Sequence, residues 1–202
     1  MSELRKVYED RYNNVLVSLA DQLETFIKEL FTDVQRIDRI VARVKSVDSF
    51  VEKSKKEING KPKYTDPLNQ IQDQVGARIV TFYKDDVERV GSAVLEYFRH
   101  IEEKDIIPES ESEFGYFGKH YILLLPLDIT GDLSESIPPF FELQIKTLFQ
   151  HSWSEANHDL GYKTSDILSS DFKRRIAFSS AQAWGADEMF NELFNKKGQK
   201  DG

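Results

Sequence analysis

Cysteine is absent from the 202 residues, which removes disulfides, thiolate zinc sites and cysteine nucleophiles together and is compatible with a reducing compartment. Long apolar stretches are missing too. No run approaches the roughly 20 residues that span a bilayer, and Met1-Ser-Glu-Leu-Arg-Lys6 lacks the apolar stretch of a secretory signal, so no membrane association and a soluble, cytoplasmic protein are expected. Positive charge is in deficit: 27 Lys and Arg against 35 Asp and Glu give a formal net charge of -8, which opposes broad attraction to nucleic-acid backbones. A polyanion can then bind only through a local cluster of cations, so the placement of Lys and Arg matters more than their number.

Hydrophobic residues at 40% and aromatics at 12% suffice for one buried core, with helical extensions. From Val7 to Leu30 the apolar residues Val15, Leu19, Leu23, Phe26 and Leu30 recur at helical steps, and Val34, Ile37, Ile40 and Val41 predict a second helical segment. Ser46 or Asp48 caps the next helix, on which Ser46, Ser49, Lys53 and Lys56 share a face. Residues 59–67 read as a mobile loop. A strand at 75–82, a helix at 85–98, an ambiguous segment at 101–107, a strand from Gly115 to Pro126, a loop at 128–139 and a strand at 140–146 follow. A helix from 147 ends near Gly161, with His151, Glu155, His158 and Tyr162 along one side, and a last helix at 171–195 is expected to bury Ile176, Ala183, Phe190 and Leu193. Helices flank the strands without strict alternation, which favours an α+β fold over a doubly wound one.

The strand Glu142-Leu-Gln-Ile-Lys146 carries the strongest chemical signal, because extended backbone brings Glu142, Gln144 and Lys146 out on one face while Leu143 and Ile145 point to the other. Asp73 precedes a second strand, and Arg78 projects from its otherwise apolar length. Two carboxylates and two cations on one sheet suit a divalent metal and a polyphosphate. The same alternation also describes the solvated outer face of an edge strand, Asp73 also suits a turn cap, and the lysines after Ser46 also suit an exposed basic helix face.

Five motifs in a fixed order resemble the RelA/SpoT-type alarmone synthetase domain, above all its small stand-alone members. They are Arg43-Val-Lys-Ser46, Asp73-Gln-Val-Gly-Ala-Arg78, Gly115-Tyr116 followed by His120, Glu142-Leu-Gln-Ile-Lys-Thr147 and His158-Asp-Leu-Gly-Tyr-Lys163. The resemblance implies a nucleotidyltransferase-like mixed β-sheet over residues 43–163, with helical extensions at 1–42 and 164–202. It implies transfer of the β,γ-pyrophosphate of ATP to the ribose 3′-hydroxyl of GDP or GTP, with release of AMP. By the same resemblance Asp73 and Glu142 hold Mg²⁺ and Glu142 is the base, while Arg43 and Arg78 sandwich adenine, a role suited to planar guanidinium groups. Lys45, Ser49, Lys53 and Lys56 then face the ATP phosphates. Tyr116 stacks on the acceptor base, with His120, Gln144, Lys146, His151 and His158 as further acceptor-site positions; a core aromatic and ordinary structural histidines are the bland alternatives. Stand-alone relatives imply a homo-oligomer. The His158-Asp159 pair suggests a phosphohydrolase, but with four histidines in the chain a hydrolase domain is not expected.

Several positions depart from the family pattern. Glu109-Ser-Glu-Ser-Glu113 and Phe117 flank Gly115-Tyr116 where basic residues are usual, Lys146 stands in place of an arginine, and Asn157 in place of a glutamate. Lys119 is a candidate to restore some charge, although strand alternation places it opposite Tyr116 and His120. Acceptor identity therefore stays open between guanine nucleotides, adenine nucleotides and the 3′ end of tRNA, the last opposed by the acidic net charge. A catalytically silent nucleotide-binding or interaction module is a further reading.

Overall fold

The computed structural model describes residues 3–105, 118–131, 137–162 and 169–198. The chain opens with α1 (Glu3–Arg11), which passes through a π-helical turn (Tyr12–Leu16) into α2 (Val17–Leu30). The edge strand β1 (Ile37–Val44) follows, then α3 (Val47–Ser54), a small hairpin of β2 (Glu57–Ile58) and β3 (Lys61–Pro62), and the single turn α4 (Pro67–Gln70). The central strand β4 (Val75–Thr81) leads to α5 (Lys84–Tyr97), β5 (His100–Asp105), β6 (Lys119–Leu124) and the short α6 (Leu127–Thr130). β7 (Phe140–Thr147) then runs into α7 (Leu148–Tyr162), and α8 (Ser170–Gly198) closes the described chain.

Five strands form one mixed sheet in the order β1-β4-β7-β6-β5, with β4 and β7 parallel and the other pairs antiparallel. This is the expected α+β architecture. One face is apolar: Ile40, Ala77, Ile79, Leu143, Ile145, Tyr121 and Leu123 are buried there. Leu19, Leu23 and Ile27 of α2 and Val87, Val90 and Val94 of α5 belong to the same core, which is the partner a one-sided apolar sheet requires. The opposite face carries the polar residues of the same strands.

Several sequence expectations need correction. Residues 37–44 are strand, not helix: Ile37, Ile40 and Val41 fit helical spacing, but in the strand Ile40 faces the core while Arg39, Val41 and Arg43 face away, and β-branched residues suit that pleated surface. An extension boundary at residue 42 would cut β1, and α1 and α2 share the core of the sheet. Residues 59–67 are not a loop throughout. Asn59 and Gly60 take positive φ of 53° and 74°, the geometry of a tight hairpin turn, and Pro67 opens α4. A helical turn occupies 127–130 where a loop is expected, whereas the ambiguous segment after residue 100, for which a short strand is one reading, is indeed the strand His100–Asp105. Helix α8 does not bury Phe190 and Leu193, which are 50% and 56% exposed; its buried residues are Ser180 and Asp187. No helix among the described residues is long and apolar enough to cross a membrane.

Candidate functional site

Paired residues in a sheet point to the same face, so the register decides which side chains meet. Arg43 pairs with Gly76 and Gly76 with Glu142; one step along, Val41 pairs with Arg78, Arg78 with Gln144 and Gln144 with His120. The motifs predicted from four separate stretches of chain thereby share one face. Gly76 leaves a floor without a side chain between Arg43 and Glu142. Glu142 lies on the third of five strands, so the reading of its strand as a solvated edge does not hold.

Asp73 sits just before β4, where Lys45 N–H donates to Gln74 C=O at 2.9 Å. The helix above it is capped as predicted, Ser46 Oγ accepting from Ser49 N–H at 3.3 Å. Tyr8 fastens this corner by stacking on Phe50 at 3.7 Å and donating to Lys45 C=O at 2.8 Å. Asp73 Oδ2 receives Lys53 Nζ at 2.8 Å and Lys45 Nζ at 2.9 Å. Burial pushes the Asp73 carboxyl up, but these two ammonium groups outweigh it and hold it below the usual range. Lys56, beyond the end of α3, is exposed.

Glu142 receives Gln144 Nε2–H at 2.9 Å and lies 3.4 Å from His120 Nδ1. Burial raises its pKa, yet His120 and Gln144 more than offset this against the push from Asp73, leaving Glu142 ionised at neutral pH. Arg78 Nη1 donates to Glu155 Oε1 at 2.6 Å and meets His151 Nδ1 at 3.0 Å. Burial, then the charge of Arg78, pushes the His151 pKa down; a guanidinium can only donate, so Nδ1 is the acceptor in their contact. The helical spacing of His151 and Glu155 foretold their shared side but not their partner.

Two cavities meet at the carboxylates. One of about 300 Å³ is lined by Arg43, Lys45, Ser49 and His158, the other of about 410 Å³ by Lys53, Lys63, Tyr64 and His120; Asp73 and Glu142 line both. Asp73 Oδ1, Arg78 Nε, His120 Nε2 and Gln144 Oε1 are buried without a hydrogen-bond partner among the described residues, unused capacity that a polar ligand would fill. Among those residues no cluster of three or more His, Asp or Glu gathers. The donor set is thus two carboxylates, one with a vacant buried oxygen, a set that fits Mg²⁺ completed by substrate phosphates. His151 stands beside Arg78, and His158 opens on the Arg43 cavity whereas His120 lines the other. Tyr116 lies outside the described residues. Lys63 and Tyr64 went unnoticed in the sequence because their segment reads as loop.

Lys146 is 4% exposed and donates to Ser154 Oγ at 3.2 Å beneath α7. Burial, then Arg78, pushes its ammonium down to about 8. Lys119 points to the other face and pairs with Glu88 of α5 at 2.7 Å, so it adds no charge to the cleft. Because the folded pKa of Lys146 lies below its unfolded one, the native state carries a penalty below pH 8 that is relieved as pH rises toward the unfolded value. Between pH 8 and about pH 9, the stability of the parent relative to Lys146→Met should rise by about 1 kcal/mol, read from urea midpoints.

The family described as "Region found in RelA / SpoT proteins" matches residues 42–167. The chain is 30% identical over 167 residues to GTP pyrophosphokinase YjbM of Bacillus subtilis, covering 80% of this chain and 74% of that protein. Its fold superimposes on small alarmone synthetase 1 from Bacillus subtilis with a TM-score of 0.76 and 27% identity, over 94% of this chain and 99% of that one. A structure of that synthetase bound to its product pppGpp matches with a TM-score of 0.72 and 26% identity, over 96% and 98%.

Proposed function

The chain belongs to the RelA/SpoT family, and from that premise we propose that it is a small alarmone synthetase, transferring the β,γ-pyrophosphate of ATP to the ribose 3′-hydroxyl of GDP or GTP and releasing AMP. The observation that carries this reading is the wall formed by Asp73 and Glu142 between two cavities, since a transferred group must pass between a donor and an acceptor held on either side of the same carboxylates. Arg43 and Arg78 are diagonal neighbours across the bare floor at Gly76, where a flat base can lie against guanidinium groups. Lys45, Ser49 and Lys53 face the phosphates of ATP, with Lys56 at their outer end. Glu142, ionised and next to the acceptor cavity, accepts the proton of the attacking hydroxyl, and His120 and Gln144 orient it. The new bond joins the 3′-oxygen to the β-phosphorus as the α,β-bridging oxygen leaves with AMP.

Asp73 and Glu142 would hold Mg²⁺, which supplies neutralising charge to the transferred phosphates. Lys146 contributes positive charge from its buried place beneath α7, His158 lines the Arg43 cavity, and His151 braces Arg78. Use of ATP and guanine nucleotides as substrates agrees with a cytoplasmic protein.

Purified protein incubated with labelled ATP and Mg²⁺ should label GDP and GTP, releasing AMP in equal amount. Label appearing only on adenine nucleotides or deacylated tRNA would replace the acceptor. Phe178, Met189, Phe190 and Leu193 of α8 are between 50% and 64% exposed, a surface suited to self-association. Light scattering should therefore find a species larger than the 23.4 kDa chain.

A further inference from the structure

The cavity of about 410 Å³ holds a cation for which the reading above has no use. Lys63 follows the hairpin, its N–H donating to Lys56 C=O at 2.7 Å, and its ammonium lies 5.4 Å from the ring centre of Tyr64. Tyr64 itself is partly buried against the core, so the ring is an anchored platform. A cation held over a π face keeps its three N–H donors available for another ligand. Lys53, the other lysine of this cavity, is bound to Asp73 at 2.8 Å, whereas Lys63 has no ion pair among the described residues. Of the residues assigned to ATP, Arg43, Lys45 and Ser49 line the other cavity, while Lys53 stands at the wall between the two, held by Asp73.

We propose that Lys63 is a specificity-determining residue that binds the 5′-diphosphate or triphosphate of the acceptor nucleotide, selecting acceptors charged beyond their first phosphate. The proposal rests on the transferase reading, because it assigns the Lys63 cavity to the acceptor. The acceptor's 3′-hydroxyl must lie at Glu142, on the wall of that cavity. Its 5′-phosphates extend from the same ribose, and the unpaired ammonium is the group in the cavity suited to receive them.

Lys63→Met removes the charge while keeping an unbranched apolar stem, and Lys63→Arg keeps the charge. The measurements are KM for GDP, GTP and ATP with kcat, and calorimetric dissociation constants for GDP and GMP in the absence of ATP. Lys63→Met should raise KM and Kd for GDP about ten-fold, as expected for loss of one charge-assisted contact. Kd for GMP, KM for ATP and kcat should change less than about two-fold, and Lys63→Arg should restore GDP binding. An unchanged GDP affinity overturns the proposal, as does an equal loss for ATP, which would move Lys63 to the donor. If the parent transfers to no guanine nucleotide, the transferase reading fails separately. Calorimetry still decides the role of Lys63 in that case: weaker GDP binding by Lys63→Met upholds it, and equal or absent binding by both proteins refutes it.

Discussion

Glu142→Gln should lower kcat for pyrophosphate transfer by about 10² to 10⁴-fold with little change in stability, the range expected when a positioned general base is lost. The amide has the size of the carboxylate, and its oxygen can still receive Gln144 Nε2–H, now at 2.9 Å from Glu142 Oε2. What disappears is a group able to take a proton, together with a full negative charge on the wall between the cavities. Glu142 suits that role because its neighbours hold it ionised despite burial. Transfer of label from ATP, with AMP release, reads the effect, and thermal melting with GDP binding shows that fold and site persist. Activity within about ten-fold of the parent would remove Glu142 from the chemistry.

The largest effect on stability is expected at a glycine with no catalytic role. A Cβ on Gly118 would stand 2.0 Å from the carbonyl oxygen of Ile145 and 2.8 Å from Lys146 Cγ. The first obstacle is backbone in the middle of the sheet, which cannot swing aside as a flexible side chain does. Gly118→Ala must lift the start of β6 from β7, at the residue before the Lys119–Ile145 pair. Overpacking of this kind costs about 1–3 kcal/mol, and the melting temperature should fall by roughly 3–10 °C. Because His120 follows two residues later, transfer activity should fall as well. Gly76→Ala makes the useful contrast: its Cβ would meet Glu142 C=O at 3.7 Å, an ordinary contact, so the fold should survive. A Gly118→Ala protein as stable as its parent would show that the two strands have room between them.

Local patterns were read correctly where a residue's immediate neighbours decide its conformation. Alternation placed Glu142, Gln144 and Lys146 on one face, and Ser46 was legible as a cap because its partner, the Ser49 N–H, is three residues away. Helix α5 and the strand of Arg78 were clear for similar reasons. The failures share one cause. β1 passed for a helix because its apolar residues fit both periods, and only pairing with β4 chooses between them. Phe190 and Leu193 fit a buried helical stripe, but α8 packs mainly on α7 and α5, leaving that stripe uncovered. Lys119, by contrast, lies opposite His120 as strand alternation requires, paired with Glu88.

The candidate site divides along the same line. Its residue types and their order were visible in the chain, and so was the resemblance that gave them roles. Their meeting was not, because Arg43, Asp73, His120 and Glu142 are brought together by strand pairings between distant segments.

By itself, then, the sequence determined the chemistry on offer and the face on which each strand presents it, since both follow from side-chain identity and the two-residue period of extended backbone. Tertiary structure alone decided that β7 lies between β4 and β6, that two lysines hold Asp73, and that Lys63 stands over Tyr64 at the second cavity. Those facts depend on register and packing between remote parts of the chain, which no local pattern encodes.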